Sequence, residues 1–350
     1  MAKTGVVRDE YYIKHSMGAY HVENPQRLEV IYQMIDSEGF SRTLTPVYPR
    51  EATRAEITAV HAPEYYQTIS ATAQRPGMTF LDPDTSTCPE TFRAAMLAAG
   101  GLLALVDVVQ DRILDNGFAL VRPPGHHAEA DRAMGFCIFN NVAIAARYLM
   151  KEYGLKRILI VDWDLHHGNG TQHHFYDDPQ VLYFSTHQYP FYPGTGAIQE
   201  VGRGAGAGYT VNVPLPGGAG DFEYMSIFRD LLQPLAREFA PEFLLVSAGF
   251  DIYFQDPLGG MQVTPEGFGR LARVLLDTAN EVCGGRLALV LEGGYSLEGL
   301  RDSVRSVLLE LSGKSTISDH SPTPDPSYDL DAIIQKVKAV QGLHWRCFAH

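Results

Sequence analysis

The run Ile158-Leu159-Ile160-Val161-Asp162-Trp163-Asp164-Leu165-His166-His167-Gly168-Asn169-Gly170 decides how this chain is read. Its first four residues are aliphatic with no polar alternation, which predicts a strand buried on both faces, the mark of a parallel sheet. Two carboxylates and two imidazoles follow at once, closed by glycines. Charge at the end of a buried strand is costly unless it is paired or binds a cation. Asp164 and His166 stand one residue apart, so in extended chain both point to the same side and make half of an N/O metal site. A solvated loop rich in Asp and His is the plainer alternative.

Working outward, apolar strands alternate with helical patterns. The chain has a short apolar start at Gly5-Val6-Val7, and short strands are expected at Phe118 to Val121, Val181 to Ser185, Tyr209 to Leu215, Phe243 to Ala248 and Leu287 to Leu291. Asn24 is expected to cap a helix that Gly39 stops, and Ala52 to Ala73 reads as helix broken by Pro63. Leu81 to Thr85 is a loop, and a long helix follows Pro89. Further helices run from about Asn141 to Tyr153, from an Asp221 cap to Phe239, from Thr264-Pro265 to Gly284, and on from Ser296. The polar, Pro-rich stretch Ser315 to Tyr328 reads as a surface loop before one last helix. This alternation predicts an α/β fold, a parallel sheet covered by helices on both faces, as a single domain over residues 1–350.

Composition narrows the function. With 350 residues, 45% hydrophobic, the core needs no staples. The formal net charge of −13, with no Lys/Arg cluster, argues against nucleic acid. Cys88, Cys137, Cys283 and Cys347 are scattered without a Cys-x-x-Cys, so reduced thiols in a cytoplasmic protein are expected, and no apolar stretch reads as a signal or a membrane span.

Four strands deliver polar residues directly after their apolar runs: His126 and His127, Asp162 to His167, Asp251, and Tyr295. In a parallel sheet all carboxyl ends face one edge, where ligands bind. Asp164, His166 and Asp251 would supply three N/O ligands and leave a position open, as in catalytic zinc sites; ligand type alone also admits iron(II) or cobalt. The pair His126-His127 follows a rigid Pro123-Pro124-Gly125 turn and can supply a general base and an electrostatic partner. Asp162 and Asn169 are the expected partners of these imidazoles. A carboxylate favours imidazolium and an amide does not, so the ring facing Asn169 is expected to stay neutral and act as base. Tyr295, on a Gly-Gly turn, can donate its hydroxyl to a developing oxyanion. Together these describe hydrolysis of an amide. Isolated histidines such as His61, His187 and His350 read as structural, Gly204 to Gly208 as a plain loop, and Ser247 lies outside any Gly-x-Ser-x-Gly.

The motifs Arg122 to His127, Asp162 to Gly170, Tyr192 to Gly196, Ser247 to Asp251, Asp256 to Gly259 and Glu292 to Tyr295 resemble, in order, those of the zinc-dependent histone deacetylase family and its acetylpolyamine amidohydrolase relatives. The resemblance implies an arginase/deacetylase-type fold with a sheet of about eight strands. It also implies one zinc ion on Asp164, His166 and Asp251, with His127 as general base and acid acting on a metal-activated water, His126 as its electrostatic partner, and Tyr295 polarising the acyl carbonyl. Phe136, with Gly135 before it, and Tyr192 would wall a narrow channel for an acyl-lysine chain, and Asp84 would stand at its rim. Potassium is implied at Asp162, Asp164, His166, Ser185 and Thr186, partly through backbone oxygens, and a second potassium around Phe175, Asp178, Val181 and Tyr209. Asn169 replaces the Asp of one branch and is similar to class II and bacterial members. Leu258 stands where polyamine-specific relatives carry a Glu gate, so acyl-lysine in peptides or proteins is the expected substrate, with a small acylated amine as the alternative. Two other readings are a two-manganese ureohydrolase, which would want an Asp-x-Asp where this chain has Asp251-Ile252-Tyr253, and a non-catalytic binder of acyl-lysine.

Overall fold

Ile158–Asp162 is a strand with every residue buried, and it lies inside an eight-stranded sheet. The computed structural model describes residues 2–37, 39–315, 317, 322–323 and 329–349. In chain order the strands are β1 (Thr4–Val7), β2 (Leu44–Val47), β3 (Thr79–Phe80), β4 (Ser86–Thr87), β5 (Asn116–Ala119), β6 (Ile158–Asp162), β7 (Val181–Gln188), β8 (Thr210–Leu215), β9 (Phe243–Ala248) and β10 (Leu287–Leu291). The helices are α1 (Gln26–Ser37), α2 (Arg54–Ile57), α3 (Pro63–Thr72), α4 (Thr91–Gln110), α5 (Asn141–Glu152), α6 (Asn169–Phe175), α7 (Asp221–Ile227), α8 (Gln233–Phe239), α9 (Pro265–Cys283), α10 (Leu297–Leu311) and α11 (Leu330–Gln341).

The main sheet runs β2-β1-β5-β10-β9-β6-β7-β8 with every pairing parallel. β3 and β4 form a separate antiparallel pair that presents the loop Leu81–Thr85. In β9 and β10 every residue is buried, which requires cover on both faces. α4 packs on α5, and α9 on α10, and members of both groups also touch the central strands. One connected apolar core extends from Val6 to Phe348.

Helix ends follow local chemistry. Thr264 and Ser296 accept hydrogen bonds from Gly267 and Gly299 and cap α9 and α10 as expected. Two caps differ. Asn24 turns its side-chain nitrogen back to the carbonyls of His21 and Val22, and only its backbone oxygen enters the first turn of α1. Asp221 lies inside α7, and its carboxylate binds Thr264 instead, tying that turn to the start of α9. The helix expected over 221–239 is continuous but passes through a π turn, Phe228–Leu232, before Pro234, whose missing N–H breaks the regular ladder.

Nothing in the sequence pattern announces the edge strand β2. Pro46 lowers its strand signal, and such a residue is tolerated because the outer side of an edge strand needs no ladder bond. The strand expected at Phe118–Val121 starts two residues earlier, at Asn116. The expectation that no stretch could span a bilayer needs correction: α4 is long and apolar enough by length and composition, but 72% of that window is buried inside the fold. Most of the polar stretch 315–328 lies outside the described residues.

Candidate active site

The strands β5, β10, β9 and β6 are neighbours at the centre of the sheet, and they are the four whose carboxyl ends carry the residues singled out above. Register sets Asp162 beside Ser185 on one side and Ser247 on the other, so apolar strand gives way to polar residues at one level across the sheet.

Asp164, His166 and Asp251 converge, with ligand atoms all within 4.8 Å of one another. Backbone amides aim the carboxylates: Asp164 accepts from Gly293 at 2.8 Å and from His166 at 2.9 Å, and Asp251 accepts from Leu165 at 2.8 Å. His166 Nδ1 lies 3.3 Å from Asp164 Oδ1 and 3.0 Å from Asp251 Oδ2. Burial, then the neighbouring Asp164 charge, push the Asp251 carboxyl up to about 7. Two carboxylates and one imidazole crowded into a buried corner fit a divalent cation, which would relieve that repulsion.

The two adjacent histidines have different partners. His126 Nδ1 is 3.1 Å from Asp162, whose same oxygen also accepts the Tyr183 hydroxyl at 3.0 Å. Burial alone would lower the His126 imidazole, but the Asp164 and Asp162 charges outweigh it and raise it to about 10. His127 Nδ1 is 2.8 Å from Asn169 Oδ1, and burial followed by the charges of His126 and His166 holds it well below the ordinary histidine value. The rings are thus pushed apart, His126 upward by its carboxylate neighbours and His127 downward by burial and the imidazoles beside it, while the Asn169 bond itself acts in the raising direction.

A cavity of about 130 Å³ opens over this group, lined by Asp84, His127, Gly135, Phe136, His166, Tyr192, Leu258 and Tyr295. Tyr192 stands edge-on to His127 at 5.2 Å, and Phe136 edge-on to Tyr295 at 5.8 Å, which narrows the passage between them. Phe136 adopts φ +68°, rare for an aromatic residue, directly after Gly135 at φ +54°. The loop before α4 holds this turn: Gly135 N–H donates to Asp84 and Phe136 N–H to Thr85. Asp84 is therefore at the rim, with one oxygen already engaged. A Cβ on Gly135 would clash with the His127 ring. Gly135→Ala is accordingly expected to displace the imidazole and lower kcat by about 100-fold, read by steady-state kinetics beside a thermal melt.

Ser185 Oγ faces His187 Nδ1 at 2.9 Å, and by strand alternation the Thr186 side chain points to the other face, where its buried hydroxyl has no partner. Asp162 and Ser185 are side by side, while Thr186 could offer that site only backbone oxygen. Phe175, Asp178, Val181 and Tyr209 gather where α6 runs into β7. The Phe175 and Asp178 carbonyls accept from Asp178 and Val181, and Tyr209 accepts from Tyr183. His61 bonds Glu129 O and Asn140 N–H, and His187 bonds Gly196 O, so both tie loops together. His350 lies outside the described residues.

Several supporting residues, some of them inside the motifs quoted above, receive no role from the sequence alone. Glu292, fully buried, accepts from Gly125 and His126 N–H and from Ser247, which fastens the histidine loop to β9 and β10. Its signal is a carboxylate directly after an apolar strand. Asp256 accepts from Leu258, Tyr295 and Ser296 N–H, so one carboxylate sets two walls of the cavity. Arg27 reaches the Glu292 and Gly294 carbonyls from α1, and nothing local in the sequence announces it.

The family model described as histone deacetylase domain matches residues 21–311. The chain is 38% identical over 363 residues to a probable deacetylase of Archaeoglobus fulgidus, covering 99% of each. It is 44% identical over 338 residues to polyamine deacetylase HDAC10 of Homo sapiens, covering 93% of this chain and 50% of that protein. With histone deacetylase 15 of Arabidopsis thaliana it shares 41% over 357 residues, covering 99% and 64%. The chain thus matches the archaeal relative end to end and spans about half the length of the human one. The crystal structure of the HDA15 HD domain superposes with a TM-score of 0.92 at 39% identity, over 99% of this chain and 96% of that one.

Proposed function

The chain belongs to the histone deacetylase family, whose members are zinc-dependent deacetylases, and from that premise we propose that it hydrolyses the amide of acetylated or short-acylated lysine side chains at the cavity above Asp164, His166 and Asp251. The observation that carries this reading is one small cavity lined by a base, His127, a hydroxyl donor, Tyr295, and His166, the member of the three-donor N/O cluster that reaches it.

Asp164, His166 and Asp251 would hold a single zinc ion, which when bound would supply Lewis-acid activation of the acyl carbonyl and of water. His127, its Nδ1 committed to Asn169, offers Nε2 to take the proton from the attacking water and return it to the leaving amine. His126, charged beside Asp162, stabilises negative charge as it builds. Tyr295 donates its hydroxyl to the carbonyl oxygen. Phe136 and Tyr192 exclude water from the methylene stem of the side chain. Potassium beside Asp162 and Ser185, and near Phe175 and Tyr209, would serve the scaffold.

Leu258 at the rim favours acyl-lysine in a peptide or protein, since an apolar residue offers nothing to a second ammonium group. Asp84, which lines the cavity, and Asp82, which accepts from the Asp84 N–H in the same loop, favour the other substrate, a small cationic acetylated amine. Turnover of an acetyl-lysine peptide against N8-acetylspermidine, with metal analysis on the same preparation, separates the two. A peptide advantage and one zinc per chain are expected. A large polyamine advantage defeats the substrate assignment, and two metals per chain defeat the single-ion site.

A further inference from the structure

An asparagine beside a catalytic histidine raises a problem that an aspartate does not. A carboxylate accepts at both oxygens, whereas an amide accepts at one end and donates at the other. With its oxygen toward His127, Asn169 requires the proton on Nδ1 and leaves Nε2 free to accept one. Rotated by half a turn it would present its nitrogen, and the proton would move to Nε2. The ring would then have no basic nitrogen facing the cavity.

The surroundings of Asn169 remove that freedom. Its Nδ2 lies 2.6 Å from Glu129 Oε1, with the His127 carbonyl and the Met134 sulfur each at 3.4 Å, and all three accept. Asn169 and His173 are four residues apart on α6 and share a face, and Glu129 bridges them, accepting from His173 Nδ1 at 2.8 Å. Burial would raise the Glu129 carboxyl, but the bond and charge of His173, the Asn169 bond and the Arg132 charge together hold it below the usual glutamate value, so at neutral pH the group only accepts.

We propose that Glu129 is a positioning residue that locks the Asn169 amide, so that His127 keeps its proton on Nδ1 and its Nε2 free to act as the base. The kinetic consequence rests on the deacetylase reading; the tautomer itself does not. Glu129→Gln replaces an obligate acceptor with an amide that serves either orientation of Asn169. It is expected to lower kcat by about 10- to 100-fold with KM changed by less than about twofold.

A second background makes the sign of the effect diagnostic. Asn169→Asp alone places a carboxylate against that of Glu129 and lowers kcat. Adding Glu129→Gln to Asn169→Asp is expected to raise kcat, because the repulsion is gone: the introduced amide donates to one aspartate oxygen while His127 Nδ1–H donates to the other. A packing role for Glu129 predicts loss in both backgrounds. Ring-15N spectra of histidine-labelled protein give a readout independent of turnover: the Nδ1–H form of His127 in the parent, and a tautomer mixture in Glu129→Gln. An unchanged tautomer in Glu129→Gln, or a penalty that persists in the Asn169→Asp background, overturns the proposal. A parent that turns over no acetylated amine while the spectra change as expected overturns the deacetylase reading and leaves the lock standing.

Discussion

Tyr295→Phe is expected to lower kcat by about 100- to 1,000-fold, the loss that follows removal of one oxyanion donor, with KM and metal content nearly unchanged. The substitution deletes one oxygen and leaves the ring in place. That ring is held by the Arg27 guanidinium, 5.0 Å from its centroid, and by the edge of Phe136. The backbone is held by the Asp256 carboxylate, which accepts from Tyr295 N–H at 2.6 Å. The hydroxyl itself has no hydrogen-bond partner among the described residues, although it lines the cavity. Burial pushes the phenol well above its ordinary value, so it stays a donor throughout the working pH range. A loss confined to kcat also separates an enzyme from a protein that merely binds acyl-lysine, for which peptide affinity would be the same in parent and variant and turnover absent from both. A kcat within a few-fold of the parent would place the oxyanion donor elsewhere.

Much of this site can be read from the chain because its residues sit where a periodic pattern stops. Asp162, Asp251 and Glu292 each end or follow a run of buried aliphatics, and such runs are visible without any alignment. Parallel topology then carries His126, Asp164, Asp251 and Tyr295 to one edge whatever the strand order. What escapes notice has no such frame. β2 carries Pro46 and has room for it only as an edge strand, which is a property of the finished sheet. Asn24 looks like a helix cap but directs its amide nitrogen back to the His21 and Val22 carbonyls, and its backbone oxygen alone enters the first turn. Glu129 and Arg27 act across long stretches of sequence on Asn169 and Gly294, and an isolated charge in a loop or a helix does not announce a partner that far away.

Glu23 is the extreme case, and Glu23→Gln is expected to cost about 3–5 kcal/mol of stability, the penalty for leaving buried charge without its counter-charge. Its carboxylate is fully buried and accepts from Arg27 at 3.0 Å and from both Nε and, at 2.6 Å, Nη2 of Arg122. The remaining guanidinium donors go to backbone: Arg122 to Tyr12 O and His15 O, Arg27 to Glu292 O and Gly294 O. Glutamine keeps the shape and removes the negative charge that lies between two buried cations. The loss is read as a lower urea midpoint at unchanged slope. The pH dependence has a definite sign. Burial raises the Glu23 carboxyl, but the charge of Arg122 leads the contributions that bring it well below the usual glutamate value. A depressed folded-state value means that the contribution is complete above the unfolded carboxylate value, about 4.3, and is lost only as pH falls through the folded one. The parent should therefore exceed the variant by nearly the same margin from neutral pH down to about 5, with the two converging in stronger acid. Because Arg27 also carries the Gly294 carbonyl and lies over the Tyr295 ring, the variant should lose kcat at temperatures well below its melt. A stability difference below about 1 kcal/mol at neutral pH would mean that the carbonyls alone satisfy both guanidiniums, and that Tyr295 is fixed from the Asp256 side.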